Sequence, residues 1–274
     1  MLYAAEKGHV DCVRLLLQTG ADKEAKNMIG GTALLYAAER GHADCVRLLL
    51  QAGADRQVVN SLGWSVLMYA SEHRDAECAR LLLQGADDAS SAGPALLNAI
   101  GRGNADCVQL LLEHGADTEV MSKGGCTALI AATMGRHTDC VRLLVAAGAN
   151  RQATNDMGYT ALMYAAEHRD AECVRLLLQG ANDASSTGRA LLNAAERGHT
   201  ECVRLLLESG ADTRAVTNAG CTALLLATMG QHTDCVRLLV AAGADTEATD
   251  AAGMNALAHA LAKQRQDIVD LLMQ

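Results

Sequence analysis

The chain has 274 residues, half of them apolar, and a formal net charge of -9. It contains no Phe, one Trp and one Pro, so a core must come from Leu, Ala, Val, Cys and Met, which favours helices over strands. Basic residues are spread along the sequence, which argues against nucleic-acid binding. No apolar run approaches the roughly 20 residues that cross a bilayer, and the N-terminus lacks signal-peptide features. We therefore expect a soluble, cytoplasmic protein with no membrane partner.

One short segment recurs through the chain, spelled Asp-Cys-Val-Arg-Leu-Leu-Leu at 44–50. Its successive cysteines are 33 or 29 residues apart, a period typical of stacked-repeat proteins. The cysteines of this segment are Cys12, Cys45, Cys78, Cys107, Cys140, Cys173, Cys202 and Cys235. In such proteins each repeat packs only on its neighbours, so a chain of this length can form one elongated domain.

The second repeat shows the local structure that the pattern predicts. Thr32 precedes an apolar run at 33–40 and can cap the free amides of a first helix, helix A. Gly41 should end this helix, because glycine accepts a left-handed backbone conformation. A second helix, helix B, should follow His42, and an exposed loop or hairpin should extend to Gly63. Helices this short are unstable alone, so they must pack on neighbouring repeats.

The recurring pattern is Gly-x-Thr-Ala-Leu, Ala-Ala, Gly-His, Val-x-Leu-Leu-Leu and Gly-Ala-Asp, and it resembles the ankyrin repeat over the whole chain. The resemblance implies an all-α fold, an α-solenoid of stacked helix-turn-helix repeats with exposed hairpin loops. One departure is systematic, since Thr-Ala-Leu at 32–34, 127–129 and 160–162 precedes an apolar residue where the family usually has His. We expect apolar packing to hold that position.

The repeat pattern predicts a single domain, 1–274, of nine repeats, the first of them truncated. Repeat 1 begins inside its own helix A, so we expect either a fragment of a longer protein or a frayed start. The last repeat is expected to act as an unspecialised cap. The predicted boundaries are about 1–26, 27–59, 60–88, 89–121, 122–154, 155–183, 184–216, 217–249 and 250–274.

A block of three repeats is duplicated within the chain. Residues 69–99 match residues 164–194 with five differences, and residues 126–149 match residues 221–244 with three, both at an offset of 95. Repeats 3 and 6 are the shortened ones, so we expect a gap in the row of loop tips after each. Pro94 stands where Thr would cap, as expected of Pro at a helix start.

The repeated cysteines are predicted to be buried, reduced packing residues. Equivalent positions on packed helices lie about 8 to 10 Å apart, whereas disulfides require Cα atoms within about 7 Å. The chain contains no Cys-x-x-Cys spacing, so we expect no metal cluster.

Residues that could support catalysis are few. The triplet His-Arg-Asp at 73–75 and 168–170 also occurs in kinase catalytic loops, but the chain has no glycine-rich phosphate loop and no Phe for an Asp-Phe-Gly motif. Five histidines share one turn position and are expected to be hydrogen-bonded caps rather than metal ligands: His9, His42, His137, His199 and His232. We therefore predict a non-enzymatic protein with no cofactor and no metal.

The resemblance implies that a partner protein meets the concave face formed by the loop tips and helix A. The candidate binding residues at the loop tips are Met28, Ile29, Leu62 and Met157. Those directly before the helix A cap are Trp64, Cys126, Tyr159, Cys221 and Met254, and those at the end of helix A are Arg40, His73, His168 and Arg197. Trp, Tyr, Arg and Met are the residue types that carry energy in interfaces.

The sequence therefore favours a monomeric protein-interaction scaffold or adaptor whose partner it does not identify. One alternative is the regulatory segment of a larger multidomain protein such as a kinase, which the coding sequence upstream of Met1 would reveal. A second alternative is a structural spacer that binds nothing tightly. A further alternative concerns Trp64, which could pack on the next loop instead of meeting a partner.

Overall fold

The computed structural model describes residues 1–73, 75–84, 91–179 and 184–273, and in this part the chain is all-α. Its helices are α1 (Leu2–Glu6), α2 (Val10–Gln18), α3 (Ala33–Glu39), α4 (Ala43–Gln51), α5 (Val66–Ala70), α6 (Glu77–Leu83), α7 (Ala92–Gly101), α8 (Ala105–Glu113), α9 (Ala128–Met134), α10 (Thr138–Ala146), α11 (Ala161–Glu167), α12 (Ala171–Leu178), α13 (Ala184–Arg197), α14 (Thr200–Glu208), α15 (Ala223–Met229), α16 (Thr233–Ala241), α17 (Ala256–Ala262) and α18 (Gln266–Leu272). None of the helices in these ranges has the length and apolar character needed to cross a membrane.

The chain divides into two compact units. Unit 1 comprises Met1–Lys123 with Ala146–Ala149, and unit 2 comprises Gly124–Val145 with Asn150–Gln274. Within each unit the odd-numbered helices pack on one another in order, and these are the predicted A helices. The even-numbered helices α2 to α8 in unit 1, and α12 to α18 in unit 2, pack in the same way and are the predicted B helices. The predicted helix-turn-helix architecture is confirmed.

The capping residues of the A helices are those that the sequence predicts. The Thr32 hydroxyl accepts a hydrogen bond from the Leu35 amide at 3.3 Å, and Thr127, Thr160 and Thr222 cap their helices in the same way. Gly41 follows the helix end with φ +73°. Where the turn lacks glycine, Arg136, Arg169, Gln231 and Gln264 adopt positive φ instead, which costs local strain. Arg74, which stands at the equivalent position in repeat 3, lies outside the described residues.

The buried core follows the apolar stripe of the B helices. Cys45, Val46 and Leu49 are fully buried in α4. The apolar residue that replaces the family histidine is also buried, as Ile130 and Met163 show, so the expectation of apolar packing there is confirmed.

All ten cysteines are free, and seven of the eight repeated ones are buried as predicted. The prediction is wrong for Cys12, which is exposed. In later repeats the equivalent cysteine contacts the preceding repeat, as the Cys173 thiol does at 3.7 Å from the Thr138 hydroxyl.

The turn histidines His42, His199 and His232 are hydrogen-bonded as expected, but their rings do not cap the helix B that follows them. His42 precedes α4 without bonding its amides, and its Nε2 lies 3.1 Å from the carbonyl oxygen of Glu6 in the preceding repeat. The rings of His199 and His232 contact carbonyl oxygens one repeat back in the same way, at 2.8 and 3.1 Å. These histidines therefore connect consecutive repeats.

The repeats that follow the two shortened ones have longer A helices than their neighbours. Helix α13 has 14 residues and α7 has 10, whereas α3 has seven. Pro94 is the third residue of α7 rather than its cap, because the cap is Ser91 and the helix begins three residues earlier than predicted. The shortened loops, 85–90 and 180–183, lie outside the described residues.

Candidate protein-binding surface

Three of the hairpins that precede A helices are each held by one asparagine side chain. The Asn60 Oδ1 accepts hydrogen bonds from the amides of Leu62 and Trp64, both at 3.0 Å, and its Nδ2 donates to the Tyr69 hydroxyl at 3.1 Å. Asn155 and Asn27 make the same set of contacts with the tyrosines of their own A helices. The hairpin is thus fixed to helix A before any partner binds.

In the last repeat an acid and a histidine replace the Asn and Tyr. The Asp250 carboxylate accepts the amides of Met254 and Ala252 and lies 2.8 Å from His259 Nε2. The Met254 amide, followed by the His259 contact, lowers the pKa of Asp250 below its usual value. This motif was not among the predicted features, although the recurrence of Asn nine residues before Tyr is a signal for it in the sequence.

The four predicted tip residues are exposed apolar side chains. Met28 is wholly exposed, and Leu62 and Met157 are 71% and 70% exposed. Ile29 is 45% exposed, and its carbonyl oxygen accepts the Ser61 amide of the next hairpin at 3.0 Å. In unit 1 the tips therefore form a connected row that presents apolar groups to solvent.

The five predicted residues before the cap are less accessible. Trp64 and Tyr159 are half-buried, and their rings lie 5.0 and 5.2 Å from the rings of Tyr69 and Tyr164 on the A helices. Cys126 and Met254 are also half-buried, whereas Cys221 is buried. Trp64 thus packs on its own helix A rather than on the next loop.

The predicted residues at the ends of the A helices contact the preceding repeat. Arg40 pairs with Glu6 at 3.3 Å, and Arg197 pairs with Glu167 at 3.0 Å. His73 Nε2 lies 2.7 Å from the Glu39 carbonyl oxygen. His168 is half-buried, and its Nδ1 has no hydrogen-bond partner within the described ranges.

A groove in unit 2 was not among the predicted sites. It has a volume of about 500 Å³ and lies between the hairpin that carries Tyr159 and the hairpin at 216–218, with α13 as its floor. Its position matches the gap that the sequence predicts after repeat 6. Its lining residues are Tyr159, Arg189, Leu192, Asn193, Glu196, Val216, Thr217 and Asn218.

Comparison with known proteins agrees with this geometry. The family model for ankyrin repeats matches in three copies, at residues 1–92, 96–188 and 191–274. The chain belongs to the ankyrin-repeat family. Ankyrin repeats generally mediate protein–protein interactions. A search of curated proteins gives no match.

Three solved ankyrin structures show the extent of the similarity. An ankyrin repeat domain from Acinetobacter baumannii is 30% identical to this chain, with a TM-score of 0.61. The alignment covers 65% of this chain and 95% of that domain. The ankyrin repeat protein EF0377 is 28% identical with a TM-score of 0.62, and covers 66% and 98%. The ankyrin repeat domain of Bcl-3, a member of the IkappaB protein family, is 26% identical with a TM-score of 0.62, and covers 90% and 100%.

The chemistry of the described side chains suits binding better than catalysis. Burial raises the pKa of Cys78, Cys107 and Cys173 to about 12, so these thiols stay protonated at neutral pH and are poor nucleophiles. Within the described ranges, no three His, Cys, Asp or Glu side chains are placed to hold a metal ion. The ankyrin fold is typically a non-catalytic interaction module.

Proposed function

We propose that this chain is a non-catalytic adaptor that binds another protein through its hairpin tips and A helices. The observation that carries the proposal is the exposure of apolar side chains at the ends of fixed hairpins. Met28, Leu62 and Met157 each leave most of their apolar surface in water. Covering such surface is favourable by about 25 cal/mol per Å², and contiguous exposed apolar groups commonly mark interaction sites.

The fixed hairpins lower the entropy cost of binding a partner at their tips. Asn60 and Asn155 hold their hairpins with three hydrogen bonds each, so the tip backbone is already ordered in the free protein. Binding then loses less conformational entropy than it would with a mobile loop. Trp64 and Tyr159 lie at the base of these hairpins and would supply a partly exposed aromatic edge.

The remaining predicted residues support the surface that the hairpins form. Arg40, His73 and Arg197 hold consecutive A helices and so position the surface, and Cys126, Cys221, Met254 and His168 lie beside it. We further propose that the chain works as a cytoplasmic, monomeric, nine-repeat domain without a cofactor, and that neither nucleic acid nor membrane is its partner. A regulatory segment of a larger protein would use the same surface.

The tip residues can be tested without disturbing the core. A chain with Met28→Ser, Leu62→Ser and Met157→Ser is compared with wild type as bait in affinity purification with quantitative mass spectrometry. Leu15→Ser is the control, because Leu15 is 61% exposed but lies on helix α2. The triple variant should keep its helical circular dichroism and lose the partners that the control retains. Retention of every partner by the folded triple variant would contradict the proposal.

A further inference from the structure

The groove in unit 2 has charged groups at both ends and an apolar centre. Arg189 and Glu196 lie two turns apart on α13, which corresponds to about 10 Å along the helix axis. Leu192, which is largely buried, lies between them on the helix, and Val216 faces the same space from the neighbouring hairpin.

Arg189 is held in place but keeps most of its hydrogen-bonding capacity. One guanidinium N–H donates to the Gly158 carbonyl oxygen at 3.2 Å, and the guanidinium carbon lies 5.9 Å from the centre of the Tyr159 ring. Gly158 adopts φ +73°, a conformation that favours glycine. Arginine carries five N–H donors, so a fixed Arg189 still offers a fork that suits a carboxylate.

The two groove charges differ from the arginines at the ends of the A helices. Among the described residues, Arg189 and Glu196 have no ion-pair partner, whereas Arg40, Arg102 and Arg197 pair with Glu6, Glu72 and Glu167. The pairs at the helix ends connect repeats. An unpaired cation and an unpaired anion in the same groove are instead complementary to a ligand with the opposite charges.

The backbone at the start of α13 explains why the groove is present at this repeat. Residues that form a hairpin in repeats such as 3, 6 and 8 belong here to the first turns of α13. Ser186 on that first part of the helix donates to the Gln152 side chain at 3.2 Å, which ties the extension to the preceding loop. The tip surface therefore has a recess at this repeat instead of a hairpin.

We infer that this groove binds an extended segment of a partner protein that carries an acidic and a basic residue about three positions apart, with an apolar residue between them. A segment in the extended polyproline II conformation has three residues per turn and advances about 3.1 Å per residue, so residues three positions apart lie on the same side and match the separation of the two groove charges. The acidic side chain meets Arg189, the basic one meets Glu196, and the apolar one covers Leu192 and Val216. The inference rests on the proposed function and names the partner chemistry at one part of the surface.

A displayed library of random twelve-residue peptides provides the test. The library is first depleted on the Arg189→Gln, Glu196→Gln double variant and then selected on the full wild-type chain. Enriched peptides should carry Asp or Glu about three positions from Lys or Arg. Arg189→Gln should weaken their binding about tenfold, as expected for loss of one charge-assisted contact. Arg237→Gln, which changes an exposed arginine on α16, should leave their affinity unchanged.

A charge exchange separates recognition from damage to the fold. The Arg189→Glu, Glu196→Arg variant should bind peptides in which the acidic and basic residues have changed places, and it should lose the original peptides. No enrichment after depletion, or equal affinity for wild type and Arg189→Gln, would overturn the inference. If partners still depend on Met28, Leu62 and Met157 while Arg189→Gln has no effect, the inference fails and the proposed function stands.

Discussion

The groove in unit 2 and the equivalent part of unit 1 come from the same duplicated block. Residues 164–194 repeat residues 69–99 with five differences, and three of these lie at positions that are buried in both copies. Leu82 and Leu177 are both buried, as are Cys78 and Cys173. The difference at the groove floor is Pro94 in unit 1 and Arg189 in unit 2. The differences at buried positions are small changes of side chain, such as Ala79 to Val174, whereas the exposed position changes from Pro94 to the charged Arg189.

The residues around this position, 94 in unit 1 and 189 in unit 2, also differ between the two units. Unit 1 has Trp64, Gly101 and Lys123 where unit 2 has Tyr159, Glu196 and Asn218. The separated opposite charges of the unit 2 groove therefore have no counterpart in unit 1. A repeat array can therefore keep one repeat pattern and still present different side chains at equivalent surface positions.

The largest expected effect is a loss of stability, and it tests whether the two copies of the duplicated block have equivalent cores. Leu111 and Leu206 are equivalent and fully buried. Leu111→Ala and Leu206→Ala should each lower the free energy of unfolding by about 2 to 5 kcal/mol in urea titrations followed by circular dichroism. Leu15→Ala on an exposed helix face should change it by less than about 0.5 kcal/mol. A large loss in one copy and none in the other would show that the cores are not equivalent.

The next effect comes from the position at which the two copies diverge. Residue 189 is the sixth residue of α13, where the amide has an intrahelical acceptor, whereas Pro94 is the third residue of α7, where it has none. Arg189→Pro should therefore cost about 3 kcal/mol in thermal unfolding. Pro94→Arg should cost less than about 1 kcal/mol. Small effects of both changes would contradict the extended α13.

A smaller effect is expected at the hairpins. Asn60 and Asn155 are buried, and each satisfies two amides and one tyrosine hydroxyl. Asn60→Ala and Asn155→Ala should each cost about 1 to 3 kcal/mol, because polar groups lose their partners. Calorimetric melting measures the loss, with exposed Asn218→Ala as the unperturbed control. Equal melting of Asn60→Ala and wild type would show that this side chain does not hold the hairpin.

The smallest effect concerns pH and should be similar in both copies. Burial raises the pKa of Cys107 to about 12 and of Cys202 to about 11, from an ordinary value of 9.0. Both thiols are protonated in folded and unfolded chains below pH 9, so their contribution to stability is complete there. Between pH 9 and the raised pKa only the unfolded chain releases the proton, and stability falls.

The pH effect can be isolated with variants that lack the thiols. Cys107→Ala and Cys202→Ala should show a smaller loss of unfolding free energy between pH 7.5 and pH 10 than wild type in urea titrations. Thiol labelling at pH 8 should modify exposed Cys12 at least about a hundredfold faster than Cys107. Comparable labelling rates for the two cysteines would contradict the burial of Cys107.

The architecture could be predicted because each repeat carries its own signals. Thr32, Gly41 and the stripe through Leu49 specify a capped helix, a turn and a buried face by local chemistry alone. Cys12 was mispredicted because its environment depends on a neighbouring repeat and not on its own residues. The length of α13 was not predicted either, since its extension replaces a hairpin that the repeat pattern would otherwise place there.

The binding surface could be predicted only in part. The exposure of Met28, Leu62 and Met157 follows from their places at hairpin tips, which spacing reveals. The half-burial of Trp64 and Tyr159 depends on ring contacts with Tyr69 and Tyr164, and these contacts exist only once each hairpin folds onto its helix. Arg189 and Glu196 could be recognised as candidate binding residues only from the structure, because it shows that the arginines at the ends of the A helices are paired.

Site-specific photo-crosslinking tests the central claim most directly. The photoreactive amino acid benzoylphenylalanine is placed at Leu62 in unit 1, at Met157 in unit 2, and at Leu15 on α2 as the control. The account predicts that illumination joins a partner protein to the chain from Leu62 or Met157 and not from Leu15. Crosslinking from Leu15 alone, with none from either hairpin tip, would contradict a binding surface formed by the tips.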